Sequence, residues 1–119
     1  MEIEEHFEGD IAVLTVAGNM VTATDVAPFH PHIKRLADQG TVKVVLDCSG
    51  AMWFGSAMVG TIAASLSTLY KQEGCLVIAG LTEKMQKLFL VMPGRDSTGW
   101  IQAFDSTDQA VAWFQTRHP

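Results

Sequence analysis

Only two cysteines occur in the 119 residues, Cys48 and Cys75, and they form no Cys-x-x-Cys pair. A disulfide scaffold and the dense ligand motifs of zinc sites are therefore excluded. Cys48 ends one apolar run and Cys75 begins another. In neighbouring parallel strands they would sit roughly 15 Å apart along the strand axis, beyond the ~7 Å Cα separation a disulfide spans. Positive charge is scarce too: 8 Lys and Arg against 13 Asp and Glu leave a net charge of -5. Nucleic acid and anionic membrane surfaces need a basic stripe, and none is visible. Long hydrophobic runs are also missing, the longest clean one, Leu88 to Met92, stopping at Pro93-Gly94. The first ten residues, Met1 to Asp10, are acidic where a signal peptide is basic and then apolar. There are no repeats, linkers or low-complexity tracts. What remains is 48% hydrophobic and 18% charged, an ordinary globular composition. A chain of this length buries about two-thirds of its unfolded surface without a staple. The expectation is one domain over residues 1–119, cytoplasmic, with reduced thiols and no metal or cofactor.

Apolar patterning supplies the architecture. Ile3 to Phe7 alternates weakly and could pair through Glu8-Gly9-Asp10 with Ile11–Ala17, an almost continuous β-branched strand ended by Gly18. Val26, Phe29, Ile33 and Leu36 recur at helical spacing, with Thr24 or Asp25 as cap and Gly40 as stop. Pro31 predicts a late or distorted start there. Val42–Asp47 is a second buried strand, after which Gly50 opens a loop. A longer helix over Ser56–Gln72 buries Val59, Ile62, Leu66 and Leu69. Cys75–Ala79 is a third buried strand. Thr82 caps a helix whose Met85, Leu88, Phe89 and Met92 share a face. Trp100–Phe104 is a short strand, and Ser106-Thr-Asp-Gln109 is a capping-box pattern before Val111 and Phe114. The order β-β-α-β-α-β-α-β-α predicts an α/β domain. Its sheet is mixed but mostly parallel, of about five strands, with Ile11–Ala17, Val42–Leu46 and Cys75–Ala79 at its centre.

Few residues invite chemistry. Cys48 at a strand end could be a phosphotransfer nucleophile, but such sites need an amide loop, a helix start and usually an Arg behind the thiol. Ala51-Met-Trp-Phe54 follows instead, and the nearest downstream Arg is Arg95. A small buried strand-end residue is the simpler reading. His30 and His32 flank Pro31, and on a helix or kink their rings point apart, which disfavours a shared metal; His6 and His118 lie near the termini. Asp47, the one acid at the end of a buried strand, suits a turn in which its carboxylate accepts amides from Asp47-Cys-Ser-Gly50. The segment Trp53-Phe-Gly-Ser-Ala-Met-Val-Gly60 is the most informative. Ser56 at a helix start faces free amides and the positive end of the helix dipole, so it reads as either a cap or a stabilised phosphoserine.

These residues also carry a resemblance. The Ile11–Ala17 strand into Gly18, Val42–Asp47 with Ser49-Gly50, the loop into the long helix with Gly60, Gly80–Phe89 and Phe104–Val111 together resemble a STAS domain of the bacterial anti-sigma factor antagonists. The resemblance implies a non-enzymatic domain that regulates transcription by partner switching, its partner an anti-sigma factor kinase or a related regulatory protein. In that family an Asp-Ser-Ser/Thr-Gly loop opens the long helix, and its second hydroxyl is phosphorylated. The matching residues here are Gly55-Ser56-Ala57-Met58, so Ala57 stands at the acceptor position and Ser56 is the one hydroxyl left as a phosphorylation candidate. After Gly18, where the family often carries an acid, Asn19-Met20-Val21 is neutral. The implied partner-binding loop comprises Trp53, Gly55, Ser56, Ala57 and Met58 with Asn19 and Met20.

Met52, Trp53, Met58 and Met20 are expected near one end of the sheet, either as an exposed adaptable patch or folded inward as core. A weak homodimer is compatible with such a patch. Two other readings stay open: a STAS-type pocket for a nucleotide or lipid near Asp47 and Ser56, and a phosphotransfer enzyme using Cys48.

Overall fold

β1 (Glu2–Glu8) and β2 (Ile11–Met20) form the expected hairpin, antiparallel with Glu8 opposite Ile11. Gly9, at φ 65°, supplies the left-handed turn residue between them. The computed structural model describes residues 1–89, 92–93 and 101–117. The helix expected after β2 is two helices, α1 (Ala23–Val26) and α2 (Phe29–Asp38). Thr22 caps α1, in place of Thr24 or Asp25. The Asp25 N–H donates to Thr22 Oγ1 at 3.0 Å, and the Asp25 carboxylate accepts from the Thr22 and Val21 amides at 3.1 and 3.2 Å. Those amides, Thr22 first, hold the Asp25 carboxyl below its ordinary value. Pro31 falls in the first turn of α2, where an amide has no intrahelical partner to lose. The chain breaks before it, at Ala27-Pro28, and so avoids a proline deep in a helix. Gly40, at φ 86°, ends α2 with its N–H on Ala37 O and the Thr41 N–H on Leu36 O.

The remaining elements are β3 (Lys43–Phe54), α3 (Ser56–Tyr70), β4 (Cys75–Ala79), α4 (Glu83–Phe89), β5 (Met92–Pro93), β6 (Gln102–Phe104) and α5 (Thr107–Arg117). The sheet order is β1-β2-β3-β4-β6-β5, with β1 alone antiparallel to its neighbour. The three apolar strands are interior, as expected. The sheet is the anticipated mixed one of five strands with the two-residue β5 added at its edge. Met92, assigned to the α4 face by its spacing, lies in β5 because α4 stops at Phe89. Of the expected Trp100–Phe104 strand, β6 covers Gln102–Phe104, and Trp100 lies outside the described residues, as do Gly94, Arg95, His118 and the side chains of Leu88 and Phe89. Thr82 Oγ1 accepts the Met85 N–H at 3.2 Å, capping α4. Ser106 Oγ accepts the Gln109 N–H at 3.2 Å, while Gln109 reaches back to the Asp105 amide at 3.1 Å.

Apolar residues cover both faces of the sheet. Leu14, Val16, Leu46 and Ile78 pack with Phe29, Ile33, Ile62 and Leu69 of α2 and α3 in the larger core. Ile11, Val13, Val45, Val77 and Ala79 meet Ala110 and Phe114 of α5 on the other face. The turn from α3 to β4 is tight. Gly74 N–H bonds Leu69 O at 2.8 Å, and Glu73 sits at φ 61°, a left-handed conformation that glycine adopts without a Cβ clash. Glu73→Gly is expected to raise stability by about 0.5–1 kcal/mol, measured by urea unfolding.

Candidate functional site

The site is built where β3 outruns β4. Lys43 to Asp47 pair with Cys75 to Ala79, and β3 then continues to Phe54 alongside β2 alone among the described strands. Sequence reading placed a loop at Gly50; the structure extends the strand because β2 itself runs past Gly18 to Met20 and offers it a partner. Two register shifts mark this extension. Thr15 and Ala17 pair with Asp47 and Gly50, and Gly18 and Asn19 pair with Ala51 and Trp53, so β3 carries an extra residue at each step. Gly50 lets the bulged strand approach β2, since a Cβ there would lie 3.1 Å from Val16 O.

The second bulge decides what faces solvent. Strict alternation would send one of two successive side chains inward. With Met52 unpaired, both Met52 and Trp53 point out, 68% and 63% exposed. Asn19, paired with Trp53, is exposed beside them. Met20 and Met58 do not join this patch. Both are fully buried, because the end of β2 and the first turn of α3 close over the larger core. The grouping of four exposed apolar residues is thus corrected to two, with Val21, 48% exposed, lying against Gly55.

Gly55, not Ser56, is the N-cap of α3, and its N–H donates to Met20 O at 3.0 Å. Ser56 is the first helical residue, exposed, and its hydroxyl makes no capping bond. Ala57 is half-buried against the core. Since Ser56 caps nothing, Ser56→Ala should change stability by less than about 0.5 kcal/mol in urea unfolding, where loss of a true cap costs ~1 kcal/mol.

The other candidates separate. Asp47 Oδ1 accepts the Ser49 N–H at 3.0 Å and Oδ2 the Thr15 hydroxyl at 3.3 Å, so the carboxylate braces the first bulge. Asp47 continues the face of Val45 toward α5, whereas Ser56 opens a helix on the opposite face. Neither Asp47 nor Ser56 lines the groove beside the exposed patch or the one along α3. A groove of about 300 Å³ does lie beside the patch, lined by Ala51, Met52, Trp53, Phe54, Thr82, Lys84 and Met85. Cys48 is 1% exposed in the larger core, and burial, then the Asp47 carboxylate, pushes its thiol far up. Phosphotransfer needs an accessible thiolate, and the burial of Cys48 disfavours one there. His30 bonds Thr68 at 2.9 Å and His32 bonds Glu5 at 2.7 Å, ties to two different elements. Burial, with Lys34, pulls His30 below its ordinary value.

The family model of the STAS domain matches residues 2–109. The chain belongs to the STAS domain family. Solved structures agree with the fold of this STAS domain. The anti-sigma factor antagonist SpoIIAA in its unphosphorylated form superimposes with a TM-score of 0.74 at 14% identity, over 99% of this chain and 100% of that one. The phosphorylated form of the Bacillus cell fate determinant SpoIIAA gives 0.72 at 14% identity, over 98% and 100%. An anti-sigma-factor antagonist (STAS) domain protein from Planctomyces limnophilus gives 0.64 at 15% identity, over 93% and 97%. No curated protein matches the sequence significantly. No helix among the described residues of the STAS domain is long and apolar enough to cross a membrane.

Proposed function

We propose that this STAS domain is a non-enzymatic, cytoplasmic regulatory module that binds a protein partner through Met52, Trp53 and Asn19 together with Gly55, Ser56 and Ala57 at the start of α3. The carrying observation is the bulge that turns two successive large apolar side chains outward beside the helix start. A solvated Trp–Met pair costs a lone domain apolar exposure, and at an interface it supplies an adaptable anchor. Likeness to anti-sigma factor antagonists points to an anti-sigma factor kinase, or a related regulatory protein, as the partner. The domain would act by steric competition, occupying the partner and releasing what the partner held.

Regulation departs from the phosphorylation switch. Ala57 carries no hydroxyl at the family's acceptor position, and Ser56 lacks the acid that usually precedes the pair, Gly55 standing there instead. A phosphate at Ser56 would bring up to two negative charges to an otherwise neutral anchor and oppose docking. Without it the domain stays binding-competent. Affinity capture with the tagged chain, followed by mass spectrometry and a binding isotherm with the purified partner, tests the reading. A kinase-type partner that binds the unmodified chain supports it. Stoichiometric phosphate on Ser56 in the native protein would overturn the absence of a switch, and a partner indifferent to Met52 and Trp53 would overturn the site.

A further inference from the structure

Beyond Asp47, β3 has a neighbour on one side only among the described strands. β4 ends at Ala79, opposite Asp47, while β3 runs on to Phe54 beside β2. A strand aims its backbone N–H and C=O groups to both sides, so the ladder with β2 satisfies one side and leaves the other. Among the described residues, no backbone bond reaches Ala51, Met52 or Trp53 from the side of β4. Natural edges are commonly blunted by charged side chains or proline on the strand itself, and Cys48 to Phe54 carries neither. A groove of about 300 Å³ follows this edge. Four successive residues, Ala51 to Phe54, line it from β3, and Thr82, Lys84 and Met85 line it from α4 and its cap. Side chains of a strand alternate between its faces, so a groove touching all four runs along the backbone edge. Lys84 is the one ionisable side chain on the groove. It is exposed and has no ion pair among the described residues.

We infer that the protein partner lays a short extended segment in this groove, pairing its backbone with the open edge of β3, burying an apolar side chain against Trp53 and Met85, and setting a carboxylate on Lys84. Each part of that occupant answers a feature of the site. Backbone donors and acceptors left open along a strand are matched by another strand, and the pocket beside them selects its side chains. Met52, Trp53 and Met85 make that pocket apolar and adaptable. An unpaired ammonium on an apolar groove selects an anion, and their attraction strengthens as docking removes water. The length follows from the strand. The bulge at Met52 bends the edge, and Ala51 to Phe54 spans about 10 Å. That suits a segment of a few residues and not the long edge of a second sheet. The inference rests on reading Met52 and Trp53 as the docking surface, and it names what docks there: an extended segment both apolar and acidic.

Panning a library of random heptapeptides on the immobilised full chain tests it. Enriched sequences are expected to carry a large apolar residue with Asp or Glu one or two positions away. The strongest of them, synthesised and titrated into the chain, should lose at least tenfold in affinity when one of its two alternating sets of amides is N-methylated, because the ladder then loses its donors. That measurement leaves the protein unaltered. Lys84→Glu, at an exposed position, should weaken the same peptide at least tenfold and turn the enriched sequences toward Lys or Arg. Failure to enrich such sequences overturns the inference, and so does indifference to N-methylation or to Lys84→Glu. A groove that takes dodecanoate but no peptide overturns it too, and becomes a site for small amphipathic acids. A partner whose isotherm falls with Trp53→Ala yet ignores Lys84→Glu overturns this inference alone and leaves the docking surface standing. A partner indifferent to Trp53→Ala removes the docking surface itself.

Discussion

Gly74→Ala should cost about 3 kcal/mol or more, the upper end for steric overpacking, and lower the urea midpoint without changing the slope. A Cβ on Gly74 would collide with both the carbonyl oxygen and the Cβ of Val42, well inside van der Waals contact. Neither partner is the free end of a flexible side chain. Val42 O also accepts the Cys75 N–H at 2.9 Å, so moving it aside would disturb the start of the β3–β4 pairing. The effect should greatly exceed that of Glu73→Gly one residue earlier, and should have the opposite sign. Equal effects at the two positions would contradict this account of the turn.

Trp53→Ala should weaken partner binding by about 30-fold or more, corresponding to ~2 kcal/mol for an aromatic anchor, while leaving stability within about 0.5 kcal/mol. The separation is the point of the prediction. Trp53 is 63% exposed in the free chain, so the fold gains little from its ring, and most of the gain from burying it awaits the complex. Isothermal titration of the parent chain and Trp53→Ala against the captured partner, beside their unfolding curves, checks it. Met20→Ala should behave in the opposite way, because Met20 is a fully buried core residue.

The fold was readable because its three inner strands are buried on both faces and carry nearly continuous apolar runs, a signal that tolerates uncertain ends. The helices were readable where apolar residues recur with the helical period, as at Phe29, Ile33 and Leu36. Three features were not. The extension of β3 is invisible locally, because Ser49-Gly50 looks like a turn until β2 is known to run on to Met20. Met20 and Met58 resemble surface methionines beside Met52, yet the end of β2 turns Met20 inward and the first turn of α3 turns Met58 inward. Ser56 has cap chemistry, yet Gly55 adopts the extended cap conformation, φ -138° and ψ -179°, and shifts the helix start by one residue. The clue that was present is Ala51-Met-Trp-Phe54 itself, four residues too apolar and aromatic for an exposed loop.

The division of the core between the two faces of the sheet has a consequence for the growing chain on the ribosome. Ile11, Val13, Val45, Val77 and Ala79 are all synthesised before α5 (Thr107–Arg117), the one helix among the described residues that packs on them. At a translation rate of ~5–20 residues per second, the gap between Ala79 and Arg117 leaves that face bare for roughly 2–8 s. During that interval the nascent sheet presents a strip of Val and Ile, the kind of surface chaperones capture and aggregates share. Slow codons ahead of α5, or loss of Phe114, would lengthen the exposure, so soluble yield should depend more on this last helix than its small share of the core suggests.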